Sequence, residues 1–337
     1  MIVALIFIVL GGISHASFGL GQKRFEPLSW EAFWLPFAFI SMIIIPLVWA
    51  FTLGSDVWGI LSAIPIKVFL YTTFFGACWG LAAIFWGKAL VWIGMSLTYG
   101  IILSITMATG SLIPMLRIKG IAQSSALPFI LLGTAVMFGG VALVTLAGIR
   151  RDRLQIEEGK KIKGVVSGKL FKFGLLIALF SGLLGALQNI GYAEAQRTAL
   201  EIGAGDSVAN LVSWMIVFIG GFLVQGGYTL YFLIKNKTYT TYTIRPLWKP
   251  WLKIVVTSLF WFAALAFYGQ GAAKLGELGT SIGWTMFLSL SLVISNTYAY
   301  FFGEWQESVK PLRILMIGNA VLLCSWIVLG YANSLLP

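Results

Sequence analysis

The stretch 150–172, RRDRLQIEEGKKIKGVVSGKLFK, is the most polar part of the chain and carries eight Lys or Arg residues. On either side the sequence changes character. Cutting the chain at every Asp, Glu, Lys and Arg leaves ten charge-free runs of 20 residues or more: 1–22, 32–55, 68–87, 89–116 and 120–149 before the stretch, then 173–193, 207–234, 254–273, 278–303 and 314–337 after it. Roughly 20 apolar residues rising about 1.5 Å each cross a hydrocarbon layer about 30 Å thick, so each run supplies one spanning helix. The whole composition agrees. Only 10% of the 337 residues are charged, 59% are apolar, and the mean hydropathy is +0.91, whereas soluble domains carry about 25% charge. The expected fold is an all-α polytopic membrane protein of ten helices, with a first five-helix repeat over 1–149, a basic loop over 150–172 and a second five-helix repeat over 173–337.

This layout excludes several functions. The longest stretches between runs are about 23 and 19 residues (150–172 and 235–253), too short for a soluble catalytic or nucleic-acid-binding domain. The net charge of +11 therefore reads as an orientation signal rather than as affinity for nucleic acid, because loops on the inner face of a membrane carry an excess of Lys and Arg. Of the 23 Lys and Arg, 17 belong to the face that holds the loops between helices one and two, three and four, five and six, seven and eight, and nine and ten. Five (Lys67, Arg117, Lys119, Arg197 and Lys274) belong to the other face, and Lys88 sits near the end of helix three. Both termini are thus expected outside. The first run has no basic leader, which predicts a retained helix rather than a cleaved signal. Cys78 and Cys324 fall within apolar runs and read as packing residues. Trp30, Trp34, Trp92, Trp248, Trp251 and Trp305 lie near run ends, where indoles anchor at the interface.

Five spans per half is an odd number, so a duplicated half must enter the membrane upside down, as in many secondary transporters. Weak internal matches point the same way. Phe85-Trp86-Gly87 with Gly94 recurs as Phe267-Tyr268-Gly269 with Gly276 at an offset of 182, which Thr98 and Thr280, and Gly148 and Gly330, also keep. Gly12, Ala16 and Gly21 of helix one match Gly182, Ala186 and Gly191 of helix six at a shorter offset. The small residues of these two helices suit either close packing or the thin wall of a cavity.

No enzyme constellation is present. One histidine excludes HExxH and multi-histidine metal sites, no Cys pair has ligand spacing, and nearly every acid lies in or beside a loop. No cofactor is expected. Polar groups inside the spans carry the functional signal, since they are costly in lipid and tend to line a pathway. His15, midway along helix one, has an ordinary pKa of about 6.5 and is the candidate proton carrier; the alternative is a neutral histidine bonded between helices. Gln188 and Asn189, adjacent in helix six, can both donate and accept, which suits a hydroxylated ligand or an interhelical bond. Trp79 and Trp86, seven residues apart, share a face of helix three and offer indole planes for the C–H faces of a sugar, or for packing. Gln270 takes the place in the second repeat that Lys88 has in the first. Tyr99, Asn210, Trp214, Gln225, Tyr268, Trp284 and Asn296 are further polar or aromatic groups in spans, and Glu31, Glu194, Glu277 and Glu304 border them.

Leu28-Ser29-Trp30-Glu31 after Lys23-Arg24, then Phe75-Gly76-Ala77-Cys78-Trp79-Gly80, Gly87, Ile93-Gly94-Met95-Ser96, Ile282-Gly283-Trp284 and Gly303-Glu304-Trp305 together resemble the L-rhamnose:proton symporters of the drug/metabolite transporter superfamily. The similarity runs in order through nearly the whole chain and is strongest over 75–96. It implies two inverted five-helix repeats, a central site for L-rhamnose or a related deoxysugar reached alternately from each side, and proton-driven uptake across a bacterial inner membrane with both termini periplasmic. The partners implied are a small sugar, a proton and the lipid bilayer. The chain departs from the family pattern at Ile8, where that pattern has a histidine, at Thr280, where it has an acid, and at Ala83 and Phe85, where it has asparagines; His15 has no counterpart in it. Other readings are transport of a different small metabolite, or a sugar sensor that binds without transporting.

Overall fold

A computed structural model describes residues 2–21, 25–118, 120–157, 169–246, 248–306 and 308–335. Lys23, Arg24, Lys119 and 158–168 of the basic stretch lie outside the described residues. Among those described, ten helices are long and apolar enough to cross a membrane: α1 (Ile2–Gly21), α2 (Trp30–Leu53), α3 (Ile66–Ile93), α4 (Met95–Leu116), α5 (Leu127–Gln155), α6 (Lys169–Glu201), α7 (Asp206–Lys235), α8 (Trp248–Lys274), α9 (Gly276–Phe301) and α10 (Val309–Ser334). The protein is an all-helical, multi-pass membrane protein. In lipid each backbone polar group must be satisfied within its own segment, and a helix is the way a single strand of chain achieves this.

Helix ends follow local chemistry. Ser29 caps α2, its hydroxyl accepting from Ala32 N at 3.2 Å. Within α2, Pro36 and Pro46 flank a π-helical turn at Ile40–Ile44, because proline withholds an N–H and disturbs the regular ladder. α3 runs past Lys88 to Ile93 and is separated from α4 by Gly94 alone, at φ +77°. Gly276, which opens α9 after α8, has φ +75°. A side chain is strained at such a φ, which is why both turns carry glycine. Positive φ also recurs at Gly54 and Lys237, and at Gly120 and Gly303, two further pairs 183 residues apart.

The chain folds into two compact units, each drawing on both sides of the basic stretch. Unit 1 comprises Ala82–Ala186 and Lys274–Pro337. In it α5 and α10 pack antiparallel along a seam of seven-residue steps: Gly133 lies against Leu329 and Gly140 against Leu322, while Gly318 meets Val144. Small residues let two helices approach closely in lipid. α3, α4 and α6 pack through Ala89 and Ile93, Ile102, and Ile177 and Ala178 respectively. The Ser181 hydroxyl donates to Ala82 O at 2.8 Å and that of Thr106 to Gly182 O at 3.1 Å. At one end Asp152 accepts from Ser96 Oγ at 2.7 Å, and Arg151 reaches Glu304 at 3.7 Å while lying 4.7 Å over the Trp305 ring. Trp305 is thereby buried beneath a guanidinium. Cys324 is exposed and therefore not a packing residue.

Unit 2 comprises Ile2–Leu81 and Leu187–Ala273. Its α3 and α7 cross where Gly76 meets the Val217 carbonyl and Gly220 that of Thr73. Glu31, buried at the start of α2, accepts from Asn236 Nδ2 at 2.6 Å beyond the end of α7. The Tyr242 hydroxyl donates to Ala32 O at 2.8 Å.

Candidate functional site

A polar side chain inside a span must find a protein partner or face a polar ligand, since lipid offers none. In unit 2 one segment of α8 collects most such partners. Trp214 Nε1 donates to Leu265 O at 3.1 Å, and Asn210 Nδ2 to Ala266 O at 2.9 Å. Gln196 Nε2 approaches Gly269 O at 3.5 Å. The Tyr268 hydroxyl donates to Asn189 Oδ1 at 2.5 Å, and Gln270 Nε2 to Ser207 Oγ at 3.0 Å. Asn210 Oδ1 also accepts from the Tyr192 hydroxyl at 3.1 Å. Segment 265–270 is therefore tied by side-chain bonds to α6 and α7. Gly269 is required there, because a Cβ at that position would collide with Asn210 Oδ1 and the Tyr192 hydroxyl.

From this knot an aromatic tract runs through the unit. Tyr192 lies 5.8 Å from Tyr268 and stacks on Trp214 at 4.3 Å; Trp214 is 5.5 Å from Phe218, and Phe218 5.2 Å from Trp261. Trp261 stacks on Trp79 at 5.9 Å and 16°, and meets Phe37 edge-on at 6.1 Å. Phe37 stacks on Phe18 at 5.6 Å, and Phe18 lies 6.0 Å from His15. Indole planes of this kind suit the C–H faces of a sugar ring, and their N–H groups bond hydroxyls.

The six candidates divide between committed and open groups. Asn189 is fully buried and holds Tyr268, while Gln270 is half-buried and bonded to Ser207. Gln188 is half-buried on α6 and its amide has no hydrogen-bond partner among the described residues. Trp79 is half-buried and stacked, with its Nε1 unbonded among those residues. Trp86 belongs to unit 1, edge-on to Tyr99 at 4.9 Å and 84°, again with Nε1 unbonded among the described residues. His15 is half-buried beside Phe18. Tyr192 and Trp261 join the tract without having been singled out in the sequence. Signals for both exist there: Tyr192 stands four residues after Gln188, one helical turn on, and Trp261 is 182 residues after Trp79. Of the other span residues, Trp284 Nε1 donates to Thr106 O at 3.3 Å and Asn296 Nδ2 to Asn319 Oδ1 at 2.9 Å, both within unit 1. Among the described residues no group of three or more His, Cys, Asp or Glu could hold a metal ion.

Ten spans with polar and aromatic groups gathered between helices describe a polytopic membrane protein. The chain belongs to the L-rhamnose-proton symport protein (RhaT) family, whose profile matches residues 1–334; this is a family of transporters and not of enzymes. It is 26% identical over 342 residues to the L-rhamnose-proton symporter of Yersinia pestis (strain Pestoides F), covering 98% of this chain and 97% of that protein. The same figures hold for the L-rhamnose-proton symporter of Yersinia pseudotuberculosis serotype O:1b (strain IP 31758). A protein solved by crystallography has a similar fold, with a TM-score of 0.61 at 12% identity over 96% of this chain and 95% of its own.

Proposed function

We propose that the chain is a proton-coupled importer of L-rhamnose or a related deoxysugar, working by alternating access across a bacterial inner membrane with both termini periplasmic. Its two halves, 1–149 and 173–337, act as inverted repeats. The single observation that carries the transport reading is full-length membership of the symport family. The repeat reading has support of its own. The turn glycines Gly94 and Gly276 share both the 182-residue offset and a positive φ. Within each unit two positions related by that same offset touch, Trp79 with Trp261 and Gly140 with Leu322, as residues beside a local twofold would. Unit 2 takes α1, α2 and part of α3 from the first half with part of α6, α7 and α8 from the second, which are the corresponding helices of the two repeats.

In this reading Trp79 and Gln188, in unit 2, keep donors open for the sugar, and Trp86, in unit 1, likewise keeps its indole N–H open. Asn189 and Gln270 act at the rim of the site through Tyr268 and Ser207. His15 takes the coupling proton. One charge crossing roughly 150 mV contributes about 3.4 kcal/mol, enough for about a 300-fold solute gradient. The test is uptake of labelled L-rhamnose into proteoliposomes under an acid-outside gradient. Accumulation above the external concentration that a protonophore abolishes is expected. Binding without accumulation would instead mark a sensor, and no rhamnose binding at any pH would move the substrate to another metabolite.

A further inference from the structure

Lys88 has no role in the sugar site as described, yet it is an exposed cation within a span. It lies five residues before the end of α3 at Ile93, about 7.5 Å along the axis at 1.5 Å per residue. Among the described residues it has no acidic partner. Neighbouring positions define the face it occupies. Trp92, one turn further on, lies 5.7 Å from Phe173 of α6, and Gly174 packs on Ile93 and Trp92. Lys169 is one turn before Phe173, and Lys172 is adjacent to it; both lysines are exposed, and neither has an acidic partner among the described residues. Beyond Phe173 the outward face of α6 continues with exposed Leu176 and Phe180. The strip thus has an apolar length that suits an acyl chain, an end with Lys169, Lys172 and an indole whose N–H is unbonded among the described residues, and Lys88 about one turn in from that end. All of these residues belong to unit 1.

A lysine stem can snorkel so that its ammonium reaches the headgroup layer, and basic clusters between spans recognise anionic headgroups. We propose that Lys88, Lys169, Lys172 and Trp92 bind the headgroup of one anionic phospholipid, whose chain lies along Leu176 and Phe180. The site makes no use of the sugar or the proton and stands whatever the substrate is.

The test is native mass spectrometry of the purified full chain titrated with phosphatidylglycerol or with phosphatidylcholine of the same chain length. Wild type should retain phosphatidylglycerol preferentially. K88Q should weaken that retention about fivefold, the usual contribution of one lysine at a membrane surface, and the triple variant K88Q/K169Q/K172Q should erase the preference. K88R should keep it, and K67Q, at the other end of α3, should leave it unchanged. Wild-type retention by the triple variant, equal retention of both lipids by wild type, or displacement of the lipid by millimolar inorganic phosphate would each overturn the proposal.

Discussion

Segments 83–88 of α3 and 265–270 of α8 stand 182 residues apart and share an aromatic-aromatic-glycine core, Phe85-Trp86-Gly87 against Phe267-Tyr268-Gly269. Their surroundings differ. The α8 segment is bonded at Leu265, Ala266, Tyr268, Gly269 and Gln270 by side chains of α6 and α7. In the α3 segment Trp86 meets Tyr99 through ring contact, Gly87 faces open space, and Lys88 is exposed. The contrast separates two uses of one local pattern. Polar groups spent on neighbouring helices hold a segment still, and polar groups left open are available to a ligand. In the proposed cycle the bonds at 265–270 hold that segment to α6 and α7, and 83–88 keeps Trp86 open for substrate.

The paired glycines should show the largest difference between the two segments. G269A should lower stability by about 3 kcal/mol, as overpacking against buried groups does, read as a lower unfolding midpoint in detergent. G87A should change it by less than about 1 kcal/mol, since a helical Gly→Ala change with room for the methyl is mildly favourable. Equal effects at the two sites would erase the distinction. Next in size, N210A leaves the Tyr192 hydroxyl and the Ala266 carbonyl without that partner and should cost about 2 kcal/mol in the same measurement.

Smaller effects separate holding from binding. Y268F should lower stability by about 1 kcal/mol through loss of its bond to Asn189. W86F should leave the unfolding midpoint in place yet weaken rhamnose binding about fivefold, the loss of one N–H hydrogen bond to a hydroxyl. A stability loss for W86F with unchanged affinity would reassign Trp86 to packing.

The ten spans are legible in the sequence because charge is costly in lipid, so charge-free runs map onto helices. Their ends are less so. α3 continues through Lys88 because a long aliphatic stem can carry its charge to the interface, and α6 continues to Glu201, past a charge break at Glu194 that ion-pairs with Arg197 at 2.8 Å. In the candidate site the residue types were legible and their partners were not. Nothing in the order of residues distinguishes Gln188, which stays open, from Asn189, which is consumed by Tyr268; one helical step of 100° decides it. The Trp79–Trp261 stack is legible only once the 182-residue offset is applied to tryptophans as well as to glycines.

Symport requires that sugar and proton cross together. Adding L-rhamnose outside proteoliposomes that hold a pH-sensitive dye, with no imposed gradient, measures this coupling. Coupled entry should acidify the lumen in a way that depends on rhamnose and is reduced in H15A. Rhamnose entering at an undiminished rate with no change in lumenal pH would contradict it.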